Sequence, residues 1–206
     1  NYLLRLGWGH GDDEIISDAE AVAWFDGTGL GKSPARFDTK KLTAVNAHYL
    51  KTAEPERLVA LIMPLLDSGS GVYLDHPERK RLLSGMGSLV ERAKTLTDLA
   101  ESAGVYVTPR PLNLTDKAQK ILNDGGKEIL AAAHKDLATV GDWSADVLEA
   151  WARDYAKAAD IRLGSLAQPL RAAITGTTVS PPIFEVMAIF GREESLLRIA
   201  EIAENS

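Results

Sequence analysis

The sequence predicts an all-α fold, and three observations carry that expectation. Apolar residues recur at helical spacing through most of the 206 residues. Only one short run, Val105-Tyr106-Val107, has β-like composition, and Pro109 and Pro111 close it. No strand pattern alternates with helical ones as a doubly wound sheet requires, and no repeat of fixed period is visible.

The elements follow in order. Asn1-Tyr2-Leu3-Leu4-Arg5-Leu6 has the composition of a helix interior, and with Asn rather than Met in first place it suggests a fragment or a processed chain. Residues 18–25 open with acids and set Ala19, Val22 and Ala23 near helical spacing. Residues 39–50 put Leu42, Val45 and Tyr49 on one face with Lys40 and Lys41 beside it. Residues 54–66 start with Pro55 in the first turn, where a missing N–H is harmless, and carry a stripe of Leu58, Leu61, Ile62 and Leu65. Residues 78–101 form another helical stretch, with an interruption expected near Ser84-Gly85-Met86-Gly87. Beyond the β-like run, helices are expected over 115–123, 127–139, 144–159, 164–174, 182–190 and 193–203. Thr115 and Ser144 are natural N-caps, although Val147 stands where a full capping box after Ser144 wants Glu or Gln. Periodicity breaks between Gly104 and Pro111, and more weakly at Thr52-Ala53-Glu54-Pro55.

Composition narrows the class. Hydrophobic residues at 45% and charged residues at 25% are ordinary for a globular protein. The absence of cysteine excludes a disulfide framework and a thiolate zinc site, and fits a reducing, cytoplasmic setting. No apolar run approaches the ~20 residues of a membrane span, and no signal-peptide order opens the chain. The net charge of −6 argues against a polyanionic partner, but its distribution is uneven. Residues 10–26 hold acids and no Lys or Arg, whereas Lys32, Arg36, Lys40, Lys41 and Lys51 follow with Asp38 as the only acid among residues 32–51. A second basic stretch holds Arg79, Lys80, Arg81, Arg92 and Lys94 against Glu91. Such tracks suit contact with a nucleic acid, although on charge alone solvated helix faces explain them better.

Few motifs carry chemistry. Gly27-Thr28-Gly29-Leu30-Gly31-Lys32-Ser33 resembles a phosphate-binding P-loop, but Asp26 stands where its first glycine belongs and Pro34 stops Ser33 from entering a helix. A flexible loop presenting Lys32 is the better reading. His10-Gly11-Asp12-Asp13-Glu14 lacks a second cluster to complete a metal shell, so acids heading a helix are expected rather than a metal site. His48, His76 and His134 are isolated, and no Gly-x-Ser-x-Gly elbow is present, so no catalytic residue is assigned. Trp8, Trp24, Trp143 and Trp151 fall mostly within apolar periodicity, where core packing is the expectation and base stacking the alternative. The segment from Gln168 to Glu185 ends one helix in Thr175-Gly176 and opens another after Ser180-Pro181. Its exposed N–H groups and small hydroxyls suit phosphate or base-edge recognition, and suit equally a well-capped connection.

The blocks Gln168-Pro169-Leu170-Arg171-Ala172-Ala173-Ile174-Thr175-Gly176, Ser180-Pro181-Pro182-Ile183-Phe184-Glu185-Val186 and Gly191-Arg192-Glu193-Glu194-Ser195-Leu196 resemble the end of bacterial glutamyl-tRNA synthetases. Asn1-Tyr2-Leu3-Leu4-Arg5-Leu6-Gly7-Trp8, Lys32-Ser33-Pro34-Ala35-Arg36-Phe37-Asp38 and Asn46-Ala47-His48-Tyr49 agree independently, in the family's order. The resemblance implies a class I ligase that attaches glutamate to tRNA(Glu) with ATP and Mg2+, its catalytic domain lying outside this chain and no cofactor within it. It implies three parts: residues 1–52 from a helical stem-contact region, then helical anticodon-binding subdomains at 53–108 and 109–206. It also implies a cytoplasmic monomer with tRNA(Glu) as partner. Arg92 resembles the family's base-reading arginine, a role suited to a guanidinium fork. Arg171, Ser180, Pro181 and Ile183 resemble the lining for the other anticodon bases, with Ile183 as an apolar contact. Lys40, Lys41 and Asn46 are expected near the tRNA stem. The competing expectation is a helical interaction or regulatory domain that binds no RNA.

Overall fold

A computed structural model describes residues 1–32, 34–66 and 77–204. Among the described residues there are twelve α-helices and no strand: α1 (Tyr2–Gly7), α2 (Asp18–Trp24), α3 (Thr39–Thr52), α4 (Pro55–Leu66), α5 (Pro77–Val90), α6 (Leu96–Val107), α7 (Asp116–Ile121), α8 (Lys127–Leu137), α9 (Ala145–Ala158), α10 (Leu163–Thr175), α11 (Ile183–Phe190) and α12 (Arg192–Glu204). The fold is all-α, as expected. Trp8 and Leu30 form an isolated antiparallel bridge near the N-terminus. No helix among the described residues is long and apolar enough to cross a membrane.

The apolar stripes meet in one connected core that runs from Leu50 to Ile199. Helices α4, α5 and α6 pack on one another, and α10 packs against α7, α9 and α12. Helix α11 joins the groups, touching α5 on one side and α9 and α12 on the other. The first 38 residues stand apart from this core. There Tyr2 is buried, its hydroxyl accepting from the Asp38 N–H at 2.7 Å and donating to the Asp38 carbonyl at 3.0 Å.

Three expectations are corrected. Val105-Tyr106-Val107 is the last turn of α6, not a β-like run; Ala103 and Tyr106 are fully buried against α4 and α5, and that packing overrides local β-propensity. Helix α5 runs unbroken through residues 84–87. Gly85 is there because the Tyr106 ring lies against it, and a Cβ at that position would stand 2.4 Å from the ring. The real interruption is residues 91–95, where a Thr95–Asp98 capping box starts α6. The acids at 12–14 do not head a helix either. Helix α2 begins later, capped by a Ser17–Glu20 box, and Glu14 instead meets Lys41 at 2.9 Å.

Other expectations stand with changed detail. Thr115 caps α7 through the Ala118 N–H, whereas the Ser144 hydroxyl bonds Asp142 rather than its own helix. The Asp26 carboxylate accepts from the N–H groups of Thr28 and Gly29, so Gly27–Gly31 is built around an acid, not a phosphate. Ser33 and His76 lie outside the described residues. Trp8 is buried, Trp143 donates to the Met187 carbonyl at 3.0 Å, Trp151 donates to Asp136 at 2.7 Å, and Trp24 stacks on His10.

A buried cation ties the helices together. Arg198, only 2% exposed, bonds Glu194 at 2.7 Å, the Ile174 carbonyl at 2.7 Å and the Thr108 carbonyl at 2.9 Å. Its guanidinium also lies 4.2 Å from the centre of the Phe190 ring. Replacing it by leucine removes one of two charge partners of Glu194, Arg110 being the other, and takes away the donors to two carbonyls. The expected loss for Arg198→Leu is about 3–5 kcal/mol of unfolding free energy in a urea titration; a loss below about 1 kcal/mol would contradict this assignment. Gly85→Ala is expected to destabilise by about 1–3 kcal/mol through overpacking against Tyr106, measured the same way.

Candidate functional site

The site forms where two turns face each other. Helix α5 ends at Val90, and the chain then makes a tight turn in which the Arg92 N–H reaches the Leu89 carbonyl at 3.4 Å. The Asp98 carboxylate accepts from the Lys94 and Thr95 N–H groups at 3.1 and 3.0 Å, so the start of α6 fixes the end of the turn. These backbone bonds hold the Asp98 carboxyl below the usual carboxylate range, the Lys94 N–H contributing most. The Arg92 side chain projects from the turn and donates to the Ser180 carbonyl at 3.3 Å.

The opposing turn follows α10. Gly176 ends that helix in the left-handed region at φ 72°, and a Cβ there would stand 2.8 Å from the Asn113 carbonyl. The Gly176 carbonyl accepts from the Thr115 N–H at 2.9 Å, which anchors the turn to the start of α7. Short hydroxyl bonds then shape residues 175–181. Thr175 donates to the Arg171 carbonyl at 2.8 Å, Thr177 to the Val179 carbonyl at 2.7 Å, and Ser180 to the Pro181 carbonyl at 2.8 Å. The Ser180 Oγ also accepts from Arg171 Nε at 3.0 Å. Two arginines from distant parts of the chain therefore grip one serine, one at its carbonyl and one at its hydroxyl.

Between the turns lies a cavity of about 280 Å3. Ser88, Leu89 and Arg92 form one wall, the last turns of α6 from Glu101 to Thr108 form another, and Thr177, Val179, Ser180 and Pro181 close it. Burial, and then the charge of Arg92, push the Arg171 pKa below the ordinary arginine value. Neither arginine has a carboxylate ion-pair partner among the described residues. Glu101 is the carboxylate in the cavity lining. The arrangement offers guanidinium donors, hydroxyls and apolar walls to one planar group, at the small end of ligand-pocket volumes of roughly 300–1,000 Å3.

The structure brings Arg92, Arg171, Ser180 and Pro181 together, Arg171 standing behind Ser180 rather than on the cavity wall. It does not bring Ile183 with them. Ile183 opens α11 and is only 3% exposed, packed within the core. Lys40, Lys41 and Asn46 on α3 are not part of the cavity. Lys40 is exposed, Lys41 pairs with Glu14, and Asn46 donates to the Lys94 carbonyl at 2.6 Å. Sequence reasoning missed Ser88, Glu101, Val105 and Thr108. A signal existed, since Glu101 and Val105 stand four residues apart on one face of α6.

Residues 57–203 match the family model described as an anticodon binding domain. Glutamate–tRNA ligase 2 of Rhodospirillum rubrum is 48% identical over all 206 residues, and that of Rhizorhabdus wittichii is 51% identical over 97% of the chain. The chain spans 44% and 42% of the lengths of these two curated relatives. In fold it is similar to the crystal structure of a glutamate tRNA ligase from Elizabethkingia meningosepticum in complex with its amino acid. That likeness has a TM-score of 0.81 at 24% identity, covering 97% of this chain and 39% of the other. With the model matched over most of its length, the cavity included, the chain belongs to the anticodon binding domain family.

Proposed function

We propose that this chain is the tRNA-binding part of a glutamate–tRNA ligase, and that the cavity between the Arg92 turn and the Ser180 turn takes an anticodon base of tRNA(Glu). The observation that carries this reading is the placement of Arg92. Arg92 lines a small mixed cavity, its guanidinium held by a neutral carbonyl and free of any carboxylate ion pair among the described residues. A guanidinium so placed can offer its remaining N–H groups to a base edge or lie flat on a base. Leu89, Val105 and Pro181 supply apolar wall, and the Ser88 and Thr177 hydroxyls lie within the same lining. Arg171 acts indirectly, by fixing the Ser180 hydroxyl.

In this reading residues 1–52 belong to a stem-contact region, with Lys40 and Lys41 toward the RNA backbone. Residues 53–108 and 109–206 serve as successive anticodon-binding subdomains. Glutamate activation with ATP and Mg2+ belongs to the parent's catalytic domain, and the parent works as a cytoplasmic monomer. The relatives' names, the family match and the basic residues of α3 and α5 support the ligase and tRNA-binding assignments.

Binding of the chain to a tRNA(Glu) transcript and to anticodon variants, across a salt series, tests the reading. Affinity is expected to fall with rising salt as phosphate contacts are lost. Arg92→Ala is expected to lose roughly 1–3 kcal/mol, concentrated on one anticodon base. Lys40→Ala is expected to weaken all transcripts alike and to flatten the salt slope by about 1. Binding that ignores both salt and anticodon, or no binding at all, would favour an interaction domain without an RNA role.

A further inference from the structure

The turn that carries Arg92 is held from outside the cavity. Asn46, midway along α3, donates its side-chain amide to the Lys94 carbonyl at 2.6 Å. Lys51, near the end of the same helix, meets Glu91 at 2.6 Å. The two contacts bracket Arg92, one residue before it and two after. From within, Ala93 is buried and Asp98 takes the N–H groups of Lys94 and Thr95. Residues 91 and 93–95 are thus each fixed by a contact, whereas among the described residues the Arg92 side chain bonds only Ser180. A contact that must read a base edge has to be held to within about 0.5 Å, and such precision comes from the groups supporting it.

We infer that Asn46, assisted by Lys51, is a positioning residue for Arg92: helix α3 sets where the arginine stands over the cavity. The inference rests on the base-reading role of Arg92 given above. Asn46 carries the larger part, because the Lys51–Glu91 pair is exposed on both sides and screened by salt. Lys51 has a second effect. By occupying Glu91 it keeps the carboxylate adjacent in sequence from capturing the Arg92 guanidinium. This role is assigned to Asn46 in place of the expected stem contact, because the bond that the structure gives its amide is the one to the Lys94 carbonyl.

The test combines two readouts on Asn46→Leu, Arg92→Ala and the double variant, Leu being close in size to Asn and tolerated on a helix. Amide hydrogen exchange at Lys94 and Thr95 is measured without RNA, and affinities for tRNA(Glu) and its anticodon variants are measured separately. In Asn46→Leu, exchange at the turn is expected to quicken roughly 3- to 10-fold, the equivalent of one hydrogen bond. Discrimination between anticodons is expected to fall by a similar factor, and the substitution is expected to change nothing further when Arg92 is already Ala. Unaltered exchange at residues 94 and 95 would overturn the inference. So would an equal loss for every transcript that persists in the Arg92→Ala background, which would mean that Asn46 touches the RNA directly. If Arg92→Ala itself leaves discrimination intact while exchange still quickens, the base-reading role fails and the positioning role falls with it. The contact to Lys94 is then purely structural.

Discussion

The buried guanidinium of Arg198 is the constraint on which the cavity depends. A charge that far from water is tolerated only when its donors are taken up, and here Glu194, Ile174 and Thr108 take them. Burial draws its pKa down while Glu194 works against that, so the charge is stabilised mainly by the pairing. The two carbonyls belong to the end of α10 and to the residue that caps α6. Thr108 lines the cavity, and Ile174 immediately precedes Thr175, which does so too. One side chain on the last helix therefore spaces two walls that lie more than sixty residues apart.

Around that fixed point the remaining charges sort by exposure. Arg110 pairs with Glu194 and Glu201, and the Arg81 guanidinium lies 4.7 Å from the centre of the Phe190 ring. Arg192 satisfies the carbonyls of Ala138, Val140 and Gly141 at the end of α8 while stacking on Trp143. These arginines are spent on the fold. Arg92 differs from them in having, among the described residues, a single neutral hydrogen-bond partner, and that difference marks it out more clearly than the local charge runs do.

Most of the helices were legible because a stripe of apolar residues at helical spacing is a local signal, as at Leu58, Leu61, Ile62 and Leu65. The Thr175-Gly176 to Ser180-Pro181 turn was legible for the same reason, since its chemistry lies within a few residues. Arg92 was singled out only through family likeness; nothing in its neighbourhood distinguishes it from Arg79 or Lys80. The misreadings share a cause. Val105-Tyr106-Val107 has strand-like composition, and only the packing of α4 and α5 decides for helix. The roles of Arg198 and Asn46 depend on backbone carbonyls 90, 24 and 48 residues away, and a carbonyl leaves no trace in the identity of the residue that owns it.

The grip on Ser180 has a consequence for how this surface can vary. Arg171 holds the hydroxyl, which a mutation can delete, but Arg92 holds the carbonyl, which every residue type retains. The orientation of that carbonyl is governed by the neighbour instead: a residue before proline is confined to extended backbone, and buried Pro181 imposes that confinement on Ser180. Sequence drift at position 180 can therefore leave the Arg92 contact in place, whereas drift at position 181 frees the backbone that presents it.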